Sequence, residues 1–178
     1  MYIEAEFYTY DHVVRGFIDT PQERLSDFLN IKTETAIVIR DAQVSRLLGM
    51  GKTPPTELSE ARIEKHSILF AFPAQQDMTQ KSLYRRANRL VYLVDVLLPN
   101  FLLTGYVYLT EKFEIRRVLL SRPEDFIPLT DVTATYSLYP SVSIKKGIIV
   151  FNKTLMVMIG HQPGQESPLN PPTQPRPN

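Results

Sequence analysis

No cysteine occurs among the 178 residues. That removes disulfides, thiol nucleophiles and thiolate metal sites, and it is compatible with a reducing, cytoplasmic setting. Net charge is nearly absent as well, since 20 Lys+Arg face 19 Asp+Glu and leave +1. A generic polyanion binder carries a clear basic excess, so the balance speaks against that class for the whole chain and leaves only a local basic patch open. Histidine is scarce: His12, His66 and His161 fall in an expected turn, a tight hairpin and a tail, without the i, i+4 spacing of a metal pair. There is no G-x-S-x-G elbow to expose a nucleophilic serine. No catalytic residue, cofactor or metal is therefore expected. The first residues, MYIEAEFYTYDH, carry early acids instead of a basic-then-apolar signal pattern and read as a strand.

Long apolar runs are missing too, with one ambiguous exception. LVYLVDVLLPNFLLTGYVYL (90–109) approaches the length of a membrane helix. Asp95 would lie near the lipid centre, Pro99-Asn100 breaks the run, and Val, Tyr and Phe favour strands. The spacing predicts a β-hairpin turning at Pro99-Asn100, buried on both faces, and no membrane partner.

What is present is a repeated order of elements. Gly16-Phe17-Ile18 recurs as Gly105-Tyr106-Val107, 89 positions later. Ala36–Asp41 recurs as Phe126–Asp131, offset by 90, and His66–Leu69 aligns with Lys153–Met156, offset by 87. The sequence predicts an internal duplication. The first unit (1–73) reads as a hairpin (Tyr2–Thr9, His12–Asp19), a helix over 22–30, and strands at Thr35–Val44, Ala61–Lys65 and Ser67–Phe72. Thr20, Pro21 and Glu23 supply a cap, a first-turn proline and a capping-box acid, and Leu25, Phe28 and Leu29 share one helical face. The second unit (90–160) repeats the order, with strands at Leu90–Leu98 and Phe101–Leu109, a helix over 114–121, and strands at Asp125–Thr135, Lys146–Phe151 and Thr154–Ile159. Ile115, Val118 and Leu119 match the first helix's apolar face, each 90 positions on.

Between the units lies a polar linker or short helix (74–89), and after it all a tail (161–178) with six prolines. The tail's composition predicts a flexible or polyproline-like segment. In the linker, Lys81, Tyr84, Arg85, Arg86 and Arg89 form the one candidate anion or nucleic-acid site. On a helix Lys81, Arg85 and Arg89 share a face that can clamp phosphates, with Tyr84 available to stack a base. A solvated basic face accounts for the same residues. Arg85 and Arg89 also mimic half of the cyclic-dinucleotide motif of PilZ domains, whose other half is missing. GMGKT (49–53) ends like a phosphate-binding loop, but Arg46 stands where a glycine is needed and Pro54-Pro55 blocks the helix that must follow. Asp41 and Asp131, read as matched strand ends, are expected to cap the turns after them.

Two short strands with a glycine, a strand ending in an acidic residue and a closing pair joined by a very tight turn together resemble the Sm-like fold. DFIPLTDVTATY (125–136) is similar to the end of the first Sm signature, KGIIVFNKTLMVMI (146–159) to the second, and RIEKHSILFAF (62–72) to the same closing pair. The segment Arg24–Asn30 is also similar to an R-L-S-D-x-L-N stretch found in bacterial domains. The turn in which Sm proteins carry Arg-Gly to hold RNA reads Asn152-Lys153 and Lys65-His66 here. The resemblance therefore implies the barrel and its strand-to-strand assembly more than RNA binding. It predicts a mainly β chain of two tandem Sm/SH3-like five-stranded barrels, each with one short helix. The function expected is a non-catalytic scaffold, assembly or binding module, with a protein partner or self-association at exposed strand edges. The alternative is nucleic-acid or nucleotide binding through 81–89.

Overall fold

The computed structural model describes residues 1–49, 52–75, 90–109, 121–161 and 167–168. The chain is mainly β and builds one antiparallel sheet. Its strands are β1 (Tyr2–Tyr8), β2 (His12–Asp19), β3 (Ala36–Arg46), β4 (Thr56–Glu64), β5 (Phe70–Pro73), β6 (Leu90–Leu98), β7 (Phe101–Leu109), β8 (Phe126–Tyr136), β9 (Ser143–Asn152), β10 (Met158–His161) and the two-residue β11 (Ser167–Pro168). The order across the sheet is β10-β6-β7-β8-β9-β5-β1-β2-β3-β4, with β11 beside β6. Two runs of five strands thus meet where β5 pairs with β9.

The hydrogen-bond registers of the two runs correspond residue by residue. His12↔Arg46 and Phe17↔Arg40 between β2 and β3 have counterparts in Phe101↔Tyr136 and Tyr106↔Thr130 between β7 and β8. Ala36↔Glu64 and Ala42↔Leu58 correspond to Phe126↔Asn152 and Val132↔Lys146. Both runs break register at one place, beside Gly16 and beside Gly105. The closing 3₁₀ turns, Lys65–Ser67 and Lys153–Leu155, correspond at an offset of 88. The amide of Lys65 donates to Thr35 O and that of Lys153 to Asp125 O; those of Leu69 and Val157 donate to Tyr8 O and Leu97 O. The offset of 87 expected for His66–Leu69 is therefore one residue short, because apolar similarity alone cannot fix a register in two short runs of like residues.

Several boundaries differ from expectation. The first helix, α1, spans only Leu25–Leu29, with Arg24 at its N-cap and no side-chain cap. Thr20 Oγ1 instead accepts from Gln22 N and closes a turn ahead of it. The apolar face is as read, with Leu25, Phe28 and Leu29 buried. Asp41 and Asp131 do not end their strands. They sit inside β3 and β8 at the register break, with left-handed φ of 48° and 51°. Aspartate tolerates that conformation better than most residues, and the extra residue lets a long strand bend. Strand β4 begins at Thr56, five residues before the expected start, and β5 begins at Phe70, after the 3₁₀ turn.

The 90–109 run is the β6–β7 hairpin, paired from Leu90↔Leu109 to Leu98↔Phe101, with Asn100 at φ 65° in the turn. Its two faces are unequal: Tyr92, Val94, Val96, Leu98, Phe101 and Leu103 are buried, while Leu93, Asp95, Leu97, Thr104 and Tyr106 are half-buried and Leu102 is exposed. Alternation follows from the pleat, and among the described residues one face joins the core, while Val91 and Tyr108 are the buried pair on the other. Among the described residues no helix is long and apolar enough to cross a membrane. Ser167–Pro168, expected inside a flexible tail, pair with Val91 and Leu90 and cover the part of β6 beyond β10. That supplies partners to backbone groups an edge strand would leave open.

Two cores form, and each borrows from the other run. One gathers most of β6–β9 together with Tyr8, Leu69, Phe70 and Phe72, and the other gathers Phe7, Ile18, Leu25, Phe28 and Ile39 together with Phe126, Ile148 and Val150. The alternation of β5 explains the exchange: Phe70 and Phe72 point into the second core while Ala71 points into the first.

Candidate functional site

The junction of the two runs is held at once by backbone, side-chain and ring contacts. Phe70↔Phe151 and Ala71↔Val150 form the β5–β9 bridge, and the amide of Asn152 donates to Leu69 O at 2.9 Å. Asn152 is 2% exposed and uses its whole carboxamide. Its Nδ2 donates to Ile68 O at 3.1 Å and Lys65 O at 3.4 Å, while its Oδ1 accepts from Thr154 N at 3.0 Å and Thr154 Oγ1 at 2.7 Å. Rings add to the same seam: Tyr8 stacks on Phe70 at 4.5 Å and Phe101 meets Phe70 edge-on at 4.9 Å. Lys146 lies 4.5 Å over the Phe72 ring.

A second clamp comes from the end of α1. Asn30 Nδ2 donates to Ser26 O and Phe126 O, each at 2.8 Å, and its Oδ1 accepts from Asp125 N and Phe126 N, each at 2.9 Å. The helix C-terminus needs such partners, and here they tie it to the start of β8. Between the two clamps opens a cleft of about 340 Å³ lined in part by Lys32, Glu34, Lys65, His66, Asp125 and Thr154. Lys32 pairs with Asp125, and Lys65 Nζ donates to Ile31 O at 2.8 Å. Burial pushes the Lys65 ammonium below its ordinary value, Glu34 opposes that shift and Lys32 adds to it. Lys32 thus ties the 31–35 loop to the second run, while Lys65 ties the same loop to the closing turn of its own run.

Among the described residues the outer edges of the sheet, by contrast, are open. Among the described residues β10 pairs only with β6, and β4 only with β3. Val157 and Met158 are 66% and 53% exposed, and Leu58 on β4 is 42% exposed. Strand β4 carries Glu57, Glu60, Arg62 and Glu64, with Arg62 bonded to Glu64 along the strand.

The candidate anion-binding residues Lys81, Tyr84, Arg85, Arg86 and Arg89 lie outside the described residues, as do Met50 and Gly51 of GMGKT, the expected second helix but for Ser121, and most of the tail. His12, His66 and His161 fall at the start of β2, in a 3₁₀ turn and at the end of β10, and among the described residues no group of three or more His, Asp or Glu could hold a metal ion. Neither Asn30 nor Asn152 was marked by the sequence as a clamp. Each is one polar residue at an element's end, and only its partners 84 to 96 positions away reveal its role. The chain matches no protein-family model, and comparison with curated proteins and with solved structures finds no significant match.

Proposed function

We propose that this chain is a non-catalytic assembly module. It consists of two fused copies of one five-stranded, Sm/SH3-like barrel unit and recruits a protein partner at the open edges of its sheet. The observation that carries the reading is the β5–β9 junction, where the closing strand of one run adds to the fourth strand of the other. Edge-to-edge addition is thus already the way these two units recognise each other, with main-chain bonds giving affinity and alternate side chains giving fit. The matching registers at offsets of 88 to 90 support the duplication. Val157 and Met158, exposed on an edge that no described strand covers, support a partner there.

Hydrogen–deuterium exchange measured across a wide range of protein concentration tests the reading. The amides of 56–64 and 157–161 are expected to gain protection as concentration rises, while that of Asn100 at the hairpin tip does not. Unchanged fast exchange at both edges at all concentrations overturns it.

A further inference from the structure

The two open edges are the counterparts of the two strands that meet inside the chain. By the register correspondence, β10 stands in the second run where β5 stands in the first, and β4 stands where β9 stands. The chain therefore ends, on each side, in half of a junction whose other half is at its opposite end. We infer that the partner is a second copy of this chain, joined head to tail with β10 of one copy added to β4 of the next.

This rests on the edge-addition reading above and gives it a register. The internal pairs Phe70↔Phe151 and Ala71↔Val150 become Met158↔Ile63 and Ile159↔Arg62 between copies. Met158 occupies the place of Phe70, whose ring is fully buried in the neighbouring core, which gives its 53% exposed side chain a destination. Asn152, which donates to the Lys65 carbonyl inside the chain, is replaced by Glu64, and Lys65 by Lys153. A carboxylate on one edge thus meets an ammonium on the other. Continuing the register two residues sets His161 opposite Glu60. Strand β4 presents three glutamates and one arginine, and the β10 end presents Lys153 and His161, so the edges complement each other in charge and like edges repel. Such a contact uses two different surfaces, so it propagates until it closes into a ring.

The absence of native cysteine makes the register directly readable. Two full-length single variants, Arg62→Cys and Ile159→Cys, are oxidised separately and as a mixture. A disulfide-linked pair is expected only in the mixture, whereas Ser59→Cys mixed with Ile159→Cys, three positions out of register, gives none. Light scattering of the wild type is expected to return a discrete multiple of 20.5 kDa. Met158→Glu, at an exposed position that the chain's own fold does not need, is expected to return the single-chain mass. Arg62→Cys linking to itself overturns the head-to-tail arrangement but leaves edge addition standing, as does a larger mass without a cross-link in the mixture. A single-chain mass at every concentration together with unprotected edge amides overturns both.

Discussion

Asn30 forms a closed two-bond ring with the backbone of Phe126. Its Nδ2 donates to the Phe126 carbonyl at 2.8 Å and its Oδ1 accepts from the Phe126 amide at 2.9 Å. The side chain thus does for the start of β8 what a neighbouring strand does elsewhere, 96 positions away in sequence. Because α1 belongs to the first run and β8 to the second, the pair reports on how firmly the runs hold each other.

Replacing Asn30 by alanine removes four hydrogen bonds and leaves the Asp125 and Phe126 groups to find other partners. At roughly 0.5–1.5 kcal/mol net per bond, the expected loss is about 2–6 kcal/mol. Urea denaturation checks it as a lowered midpoint. Asn30→Asp keeps the two acceptor bonds, loses both donor bonds and sets a carboxylate near Asp125, so a loss of the same order is expected. A midpoint unchanged in both variants refutes the clamp.

The two equivalent glycines are expected to respond unequally. A Cβ on Gly16 would stand 2.6 Å from Arg40 O and 2.6 Å from Ile39 Cγ2, closer than atoms pack, and one of the obstacles is backbone. On Gly105 the nearest atoms are Val132 Cγ2 at 3.0 Å and Thr130 O at 3.2 Å, which a few tenths of an ångström relieve. Overpacking of this kind costs about 1–3 kcal/mol. Gly16→Ala is expected at or beyond the upper end and Gly105→Ala near the lower, measured as thermal midpoints. The reverse order refutes the account of the bend.

Tyr8 sets the alkaline limb of stability. Its hydroxyl is buried and donates to Glu6 at 3.2 Å. Burial, with the charge and hydrogen bond of Glu6 adding to it, raises the phenol far above its ordinary 10.0. The native state therefore holds a proton that the unfolded chain gives up above pH 10.0. The stability this gives is complete below that pH and falls as pH rises beyond it, with a limiting slope of about 1.4 kcal/mol per pH unit. Tyr8→Phe keeps the ring stack on Phe70 and is expected to flatten the fall between pH 10 and 11 in urea titrations. An equally steep fall in the variant assigns the slope to other groups.

Much of the architecture was legible because it is written locally. Strands β6 and β7 begin and end where the sequence placed them, since nothing but Pro99-Asn100 interrupts the run. The apolar face of α1 followed from its spacing. What was hidden is non-local or exposed. The first half of β4 is polar and lies at an open edge, so it lacks the alternation that betrays a half-buried strand. Asp41 and Asp131 bend their strands from within, and the only sign of that in the sequence is a lone acid inside an apolar run. The bridge from Phe70 to Phe151 leaves no trace in either segment, because an edge strand and a junction strand can carry the same apolar residues. For the same reason neither clamp was visible: Asn30 and Asn152 draw their meaning from carbonyls supplied by the other run.

Asn152 offers the sharpest test of that seam. Its Nδ2 is the donor to the carbonyls of Ile68 and Lys65, and its Oδ1 caps the turn that follows by accepting from Thr154. Asn152→Asp keeps the shape and the cap but turns the donor into an acceptor facing two carbonyl oxygens at a site 2% exposed. A buried carboxylate with one oxygen set against two carbonyls is costly, on the order of several kcal/mol, and it escapes by holding its proton. Its folded pKa is then raised above the unfolded value of about 3.9, so the penalty is smallest below that pH and grows as pH rises through the raised value. The variant is expected to be markedly less stable than wild type at pH 7 and to recover part of the difference at pH 4, where a protonated carboxyl can donate to Ile68 O again. Lys65→Met, which removes a nearby charge and the bond to Ile31 but not the Asn152 donor, is expected to leave that pH dependence absent. Equal stability of wild type and Asn152→Asp at pH 7 would show that the amide donor does not hold the two runs together.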